Sequence, residues 1–471
     1  MKPAINKISI LVGATLFVAI SVVLLLQSWV LPIAFGIMLI FLVLTVRQPK
    51  IAILLLLFSK PIIDATWEFG LPVIGLNFLQ VSGVAFPVIV FLIIYSNKIQ
   101  FRNYKAVNLF GLFALINCLS YVVATFSKGE SFDEGMFLFV KYSGILFQFF
   151  NSFAAYLIIP YLFKSSDDRK LLFWALILAG IFPAITGFLQ IGGFLSGRTL
   201  RTTGDLVRIS GYYHDSVNMR IYSFQTLMAI YIYITQYSRP NEKYFIIKRL
   251  TSYALIPLSL LIIYKGYSKA AMGIFLSWVL IYFFFQRKIV LGSVFLVLLG
   301  VAYVFSGTFR DETEKLLYKE IMYTEGTLPT DVEYTLLGGR FVYWGNALDK
   351  FEKQDLASQM IGFNYIYGAS VHNDFLRILI SNGVIGLIIY LGLMLYFLIA
   401  LLNSYLINKD SLSLGAIMLF ASLIIDSIGL VPLLYPGYCW IVFGVISLSL
   451  NRDAFKTEQI TSSNKIRAVI P

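Results

Sequence analysis

Both histidines of the chain, His214 and His372, lie in polar connections between long apolar segments. His372 and Asn373 stand directly before an apolar run that begins near Asp374, so they fall at the start of a predicted helix. The helix dipole disfavours an imidazolium ion there, and a neutral imidazole accepts a proton from a hydroxyl group. The residue types predict a base at His372 that Asn373 orients. An interfacial histidine bonded to its own backbone is the alternative.

Arginines form a second group with chemical potential, within the segments RTLRTTGDLVRISGYYHDSVNMR and GGRFVYWGNALDKF. A guanidinium group binds phosphate by two parallel charge-assisted hydrogen bonds. The group therefore predicts an anionic lipid, a phosphorylated glycan or a pyrophosphate as ligand, with simple headgroup binding as the alternative. Its members are Arg198, Arg201, Arg208, Arg220 and Arg340.

Carboxylates are scarce in the same connections, and none forms a DxD or ExxH pair of metal ligands. This pattern disfavours a metal-dependent transferase, and we expect neither a metal nor a cofactor. Charges inside apolar segments, which a proton-coupled carrier needs, are limited to Lys60, Asp64, Lys141 and Asp426. A coupled carrier is therefore poorly supported, while a flippase with an arginine-lined cavity stays open.

The elements that must position these residues are strongly apolar. Of the 471 residues 58% are apolar and 13% are charged, and apolar runs of about twenty residues recur, the length that crosses about 30 Å of hydrocarbon. The alternating pattern of a membrane β-barrel is absent from these runs. The sequence predicts an all-α, polytopic integral membrane protein with about fourteen transmembrane helices. The predicted spans are 8–27, 29–46, 50–63, 79–96, 106–126, 137–163, 171–196, 219–237, 250–264, 270–286, 289–306, 374–402, 411–431 and 433–450.

The basic residues predict the orientation. With both termini in the cytoplasm, more than half of the 37 lysines and arginines fall in short cytoplasmic segments, as the positive-inside rule requires. The net charge of +12 therefore indicates a membrane partner and no nucleic acid. The two cysteines, Cys118 and Cys439, lie in apolar runs and predict neither a metal site nor a disulfide framework.

One connection, 307–373, is much longer than the others, and long loops are often functional. It lies between predicted helices 11 and 12 and contains two helical patterns, DETEKLLYKEIMY and GGRFVYWGNALDKFEK. The second pattern places Phe341, Trp344, Leu348 and Phe351 on one face, which would lie on the membrane surface. We expect five segments: N-terminal helices 1–197, central helices 198–306 with an arginine-rich outside loop 198–218, the extracytoplasmic loop 307–373, C-terminal helices 374–450 and a cytoplasmic tail 451–471.

Several of these residues resemble the signature of the bacterial O-antigen ligase and O-antigen polymerase superfamily. The pattern is Arg-x3-Trp, a glycine-rich stretch, then His-Asn before a span with Gly-x2-Gly. The residues that match it here are Arg340, Trp344, Gly362, His372, Asn373, Gly383 and Gly386. An earlier element of the family, Arg-x2-Gly with a later Asn, is matched by Arg208, Gly211 and Asn218. The stretch YSKAA resembles Ser-Arg-small, with Lys269 in place of the arginine. A lysine supplies charge there without a bidentate fork. The order of elements matches over roughly residues 200 to 450.

The resemblance implies a metal-independent, inverting glycosyl transfer from a glycan on undecaprenyl pyrophosphate, at the outer face of the bacterial cytoplasmic membrane. Arg208 and Arg340 would stabilise the leaving pyrophosphate, and His372 would deprotonate the acceptor hydroxyl. Substrate-binding roles would fall to Asn373, Trp344, Lys269, Gly211, Asn218, Arg377 and His214.

The same resemblance implies the partners: the lipid-linked oligosaccharide, an acceptor glycan, the lipid bilayer, and a chain-length regulator or flippase. A polymerase joins one lipid-linked chain to another lipid-linked repeat, whereas a ligase moves the finished chain to lipid A–core. We favour the polymerase, because its sequences vary most and this chain departs at Lys269. A ligase and a non-enzymatic flippase of the same lipid-linked glycan are the alternatives.

Overall fold

A computed structural model describes residues 41, 43–68, 70–71, 76–126, 146, 149–196, 202–203, 206–242, 244–326, 339–363 and 371–452. The predicted spans 8–27 and most of 29–46, the first part of 137–163 with Lys141, and the tail after residue 452 lie outside these residues. So do Arg198 and Arg201.

The described chain is built from α-helices joined by short connections. In chain order the helices are α1 (Pro49–Ala65), α2 (Phe78–Asn97), α3 (Val107–Phe126), α4 (Phe149–Leu162), α5 (Ser166–Ala179), α6 (Ile181–Ile191), α7 (Ser216–Ile232), α8 (Phe245–Lys265), α9 (Lys269–Phe285), α10 (Ile289–Phe305), α11 (Gly307–Thr324), α12 (Arg340–Glu352), α13 (Leu356–Ile361), α14 (Asp374–Asn408), α15 (Ser411–Gly429) and α16 (Pro436–Leu450). A π-helical turn, Tyr233–Tyr237, extends α7.

Two antiparallel hairpins of two-residue strands interrupt the helices. Strand β1 (Gly70–Leu71) pairs with β2 (Leu76–Asn77), with Gly70 opposite Asn77. Strand β3 (Thr202–Thr203) pairs with β4 (Leu206–Val207), with Thr202 opposite Val207. The second hairpin lies just before the residues that lead into α7.

Among the described residues, six helical segments are long and apolar enough to cross a membrane, or seven if the pair α10 and α11, bent by 95°, forms one span. The helices α4, α9 and α16 are apolar but shorter. The chain is therefore an all-α membrane protein, as predicted. Each predicted span that falls wholly on described residues overlaps a helix, while the count of fourteen stays a prediction.

The interior of the bundle is formed by α7, α15 and α16. Every residue of α16 is buried, and small residues allow the close packing: a Cβ added at Gly444 would lie 3.0 Å from a side-chain carbon of Ile159. Helix α10 is equally apolar, yet Gly292 is its one buried residue. An apolar helix with an exposed surface in a membrane protein faces lipid, so composition alone does not separate the two environments.

Polar contacts gather at two opposite ends of the bundle. Three contacts at the first end join lysines or arginines to carboxylates: Lys50–Asp168 at 2.5 Å, Lys170–Glu242 at 3.1 Å and Arg452–Asp410 at 2.9 Å. The second end, which we call the arginine end, is where Arg208, Arg220 and Arg340 lie.

The described helices of the long connection, α12 and α13, pack against α14. Helix α14 is kinked at Gly383, whose φ of 65° favours glycine. Gly362 follows α13 with φ 95°, and a Cβ at Gly362 would lie 2.1 Å from the carbonyl oxygen of Ser381. The amide of Phe363 donates to the carbonyl of Ile380 at 2.9 Å. The two glycines thus lock the α13 segment onto the kink of α14.

Candidate functional site

A buried ion pair joins Arg220 of α7 to Asp426 of α15. Each residue is 2% exposed, and Nη2 of Arg220 lies 2.6 Å from Oδ1 of Asp426. The other terminal nitrogen, Nη1, lies 3.4 Å from Oγ of Ser268. Removing a charge from water is costly unless a partner compensates for it, so this pair fixes the guanidinium in one place.

The second arginine, Arg208, converges on the same turn as Arg220. Its Nε donates to the carbonyl of Gly266 at 3.0 Å, in the turn between α8 and α9. Ser268 of that turn accepts from Arg220 and also caps α9 through its side chain. The segment before α7 and the start of α7 are therefore both fastened to one short turn.

Arg340, the first residue of α12, brings a third guanidinium to this place. A Cβ added at Gly429 would lie 3.3 Å from Nη1 of Arg340, so the guanidinium lies directly over the backbone at the end of α15. Burial, and then the positive charge of Arg220, lower the pKa of the Arg340 guanidinium, and Asp426 opposes that shift. Within the described part of the chain, no group hydrogen-bonds or ion-pairs with the Arg340 guanidinium. We call Arg208, Arg220 and Arg340 the arginine cluster.

His372 and Asn373 lie at the same junction. The side chain of Asn373 caps α14 and donates through Nδ2 to the carbonyl of Ile428 at 3.1 Å, one residue before Gly429. His372 is exposed, adopts φ 52°, and its ring centroid lies 6.4 Å from that of Tyr343 in α12. A left-handed conformation at a residue with a side chain is strained, and such strain concentrates at functional sites.

Trp344 lies against protein on one face. It packs with a small cluster that includes Ala347, Val371 and Ile380, and its indole Nε1 is buried without a described partner. Phe341 remains 56% exposed on the same helix. The face predicted to lie on the membrane surface is thus divided: Trp344 packs against protein, and Phe341 is largely exposed.

Two of the predicted substrate-binding residues lie near α1 and not on the arginine cluster. His214 is exposed and stacks on Trp67 with ring centroids 4.4 Å apart. Asn218 lines a small cavity of about 90 Å³ together with Asp64 and Tyr222.

Gly211 serves the backbone. Its φ is 57°, its amide donates to Oε1 of Gln190 at 2.6 Å, and a Cβ would lie 2.3 Å from the methyl carbon of Met219. Glycine is therefore required for the close turn into α7.

The remaining two predicted substrate-binding residues are in ion pairs. Arg377 is 2% exposed and bonds to Asp374 at 2.6 Å, and Asp374 also accepts from the amide of Leu433 at 3.2 Å. Lys269, at the start of α9, pairs with Glu320 of α11. Lys269 directly follows Ser268, which contacts Arg220, and both Lys269 and Arg377 already hold a carboxylate.

An apolar groove of about 260 Å³ runs between α8, α9, α10 and α11. Leu260, Leu276 and Leu299 line one part of it, and Tyr267, Ser268 and Glu312 line another. Since Ser268 also contacts Arg220, the polar part of the groove adjoins the arginine cluster.

Sequence reasoning missed the pairing of Arg220 with Asp426. Two features of the sequence indicated the pair: an arginine beside one predicted span and a carboxylate inside another. An isolated charge within a span needs a partner, and that rule could have joined them.

No protein-family model matches this chain, and a search of curated proteins also finds no match. Among the described residues, no group of three or more histidine, cysteine or acidic side chains is placed to hold a metal ion. The expectation of metal-independent chemistry stays a prediction. The arginine cluster is therefore the feature from which a function can be inferred.

Proposed function

We propose that this chain is a membrane glycosyltransferase that takes its glycan from an undecaprenyl-pyrophosphate donor, most consistent with an O-antigen or surface-polysaccharide polymerase. The observation that carries the proposal is the Arg340 guanidinium, which has no partner among the described residues and lies beside the Arg220–Asp426 pair. A guanidinium without a partner among the described residues, next to a second guanidinium that Asp426 fixes in place, favours an anionic ligand such as pyrophosphate.

The arginine cluster would act on the leaving group. When the bond between the anomeric carbon and the pyrophosphate oxygen breaks, negative charge grows on that oxygen, and fixed guanidinium groups stabilise it without reorganising. Arg340 would form the bidentate contact, because no described residue occupies its guanidinium fork. Arg220, held by Asp426, would supply charge from a fixed position.

His372 would act on the acceptor. Its exposed ring lies at the junction that holds Arg340, and a neutral imidazole takes the proton from the acceptor hydroxyl as the oxygen attacks the anomeric carbon. Attack opposite to the departing pyrophosphate inverts the configuration. Asn373 would hold the start of α14 against the end of α15 through its hydrogen bond to Ile428. This contact would set the position of His372 relative to Arg340.

The groove beside Ser268 supports a lipid-linked donor. Its apolar part suits an isoprenoid chain, and its polar part adjoins the arginines that would hold the phosphates. This proposal includes about fourteen spans, a location in the bacterial cytoplasmic membrane, cytoplasmic termini, and an arginine end that faces outward. The contacts of Lys50, Lys170 and Arg452 at the opposite end agree with the positive-inside rule.

A transfer assay tests the proposal. Purified protein in liposomes is supplied with undecaprenyl-pyrophosphate-linked oligosaccharide, and the products are separated by mass. We expect Arg340→Ala to reduce transfer by about 10²- to 10³-fold, the usual effect of removing a transition-state donor. Arg340→Lys should recover little, since an ammonium group lacks the planar fork.

The matched control is Arg310→Ala, which removes an arginine from α11 in the same connection. Arg310 is largely exposed and lies 3.9 Å from each of its two carboxylate neighbours, so its loss should leave transfer unchanged. Equal transfer by Arg340→Ala and the unmodified chain would contradict the proposal. Transport of the lipid-linked glycan without any transfer would favour the flippase instead.

A further inference from the structure

A second buried polar network lies on the other side of α7 from Asp426. Within α1, Nζ of Lys60 lies 2.5 Å from Oδ1 of Asp64, and it also donates to Oγ of Ser82 in α2 at 2.8 Å. Lys60 is 2% exposed, and Asp64 is 5% exposed. The ammonium group also lies 5.0 Å from the centre of a Trp440 ring, so it is fully enclosed by protein.

Tyr222 connects this network to α7. Its phenol donates to the second carboxylate oxygen, Oδ2, of Asp64. Gly437 at the start of α16 makes room for the contact, because a Cβ there would lie 2.5 Å from the phenol oxygen and 3.3 Å from Oδ2 of Asp64. Gln225 donates to the carbonyl of Gly437 at 3.0 Å, which ties the same helices together again.

Arg220 and Tyr222 occupy different faces of α7. Residues two apart on an α-helix are separated by about 200° around its axis. Arg220 therefore contacts Asp426 of α15 while Tyr222 contacts Asp64 of α1. The rotation of α7 is set from both sides by two buried carboxylates.

We infer that Lys60, Asp64 and Tyr222 are positioning residues that fix the rotation of α7 and thereby place Arg220 in the arginine cluster. This inference rests on the proposed function for its catalytic meaning, but the mechanical link is independent of it. A buried ion pair is weak evidence for stability, since apolar residues of similar volume often replace one without loss. What apolar residues cannot supply is the directed hydrogen bond to Tyr222, and that bond orients the helix.

Two variants and a control separate positioning from folding. Tyr222→Phe removes one hydroxyl group and keeps the ring. The triple variant Lys60→Met/Asp64→Leu/Tyr222→Phe removes the polar network as a whole and leaves no buried charge uncompensated. The control is Asp168→Asn, which breaks the Lys50–Asp168 pair at the opposite end of α1.

Hydrogen exchange of the purified protein measures the link, and the transfer assay measures its consequence. We expect both variants to exchange faster in α7, in the turn 266–268 and at the end of α15. Their thermal transition temperatures should stay near that of the unmodified chain. We expect kcat to fall at least about tenfold, the factor for about 1.4 kcal/mol of lost transition-state stabilisation, with KM for the donor changed much less. The control should change neither quantity.

Each outcome decides between the two proposals. Exchange that rises in α1 and α7 alone, or transfer equal to that of the unmodified chain, overturns the positioning role. In a third outcome, the unmodified chain shows no transfer, but the Tyr222 variants still exchange faster as far as the end of α15. The proposed function then fails and the mechanical link stands.

Discussion

Arg208, Arg220 and Arg340 are held in three different ways, and the difference separates their roles. Arg220 is compensated by Asp426, Arg208 donates to the backbone of Gly266, and Arg340 lies over Gly429 without a described partner. A guanidinium that holds no protein acceptor keeps its fork available to a ligand. Loss of Arg340 should therefore weaken the binding of an anionic ligand more than loss of Arg208 or Arg220.

The two histidines provide an internal comparison. We predict that His372→Ala lowers transfer by about 10²- to 10⁴-fold, the usual contribution of a general base, whereas His214→Ala has a small effect. The reason is location: His372 lies at the junction with Arg340, and His214 stacks on Trp67 beside α1. Initial transfer rates at saturating donor measure both. An equal loss in the two variants would contradict the assignment of the base.

The sequence analysis predicted single residues and no pairs across the bundle. The roles of His372, Asn373, Arg340 and Arg208 stay predictions, and these residues were predicted from their type and local spacing. The Arg220–Asp426 pair was not, because its members are 206 residues apart and only the packing of α7 on α15 brings them together. Local patterns do not encode that distance.

At the scale of elements, the positions of helices were predictable because long apolar runs and polar breaks set them. Helices α11 and α12 lie where the amphipathic patterns of the long connection indicated. The kink of α14 was not predicted. Gly383 was noted as part of a motif, but its conformation depends on the close approach of Gly362 from the preceding segment.

This contact can be tested by paired glycine substitutions. We predict that Gly383→Ala destabilises the protein by more than about 1 kcal/mol, since a side chain at positive φ is strained and its Cβ would lie 2.3 Å from the backbone of Met360. Gly392→Ala in the same helix is the control, because a Cβ there meets nothing within 4 Å. Thermal unfolding in detergent compares the two. Equal transition temperatures would show that the glycine contact is unimportant for stability.

At the scale of the whole molecule, composition established a membrane protein but not which helices form its interior. Helices α10 and α16 are both strongly apolar, yet α10 is exposed and α16 is wholly buried. The distinguishing features are packing features, such as Gly444 against Ile159 and Trp440 against Asn151. They appear only when the partner helices are known.

The arginine end brings together Arg340, which has no partner among the described residues, the exposed His372 and an apolar groove. The opposite end is held by compensated pairs such as Lys50–Asp168. This asymmetry is what a membrane enzyme with a lipid-linked donor needs, because the reacting groups must lie where the headgroup meets an acceptor.

The most direct measurement is mass spectrometry of the lipid-linked glycans in cells with and without this chain. We predict that removal of this chain leaves only single repeats on the lipid. Long chains that accumulate on the lipid and vanish from the surface acceptor would instead indicate a ligase. Lipid-linked and surface glycans that are both unchanged would contradict the central claim of glycan transfer.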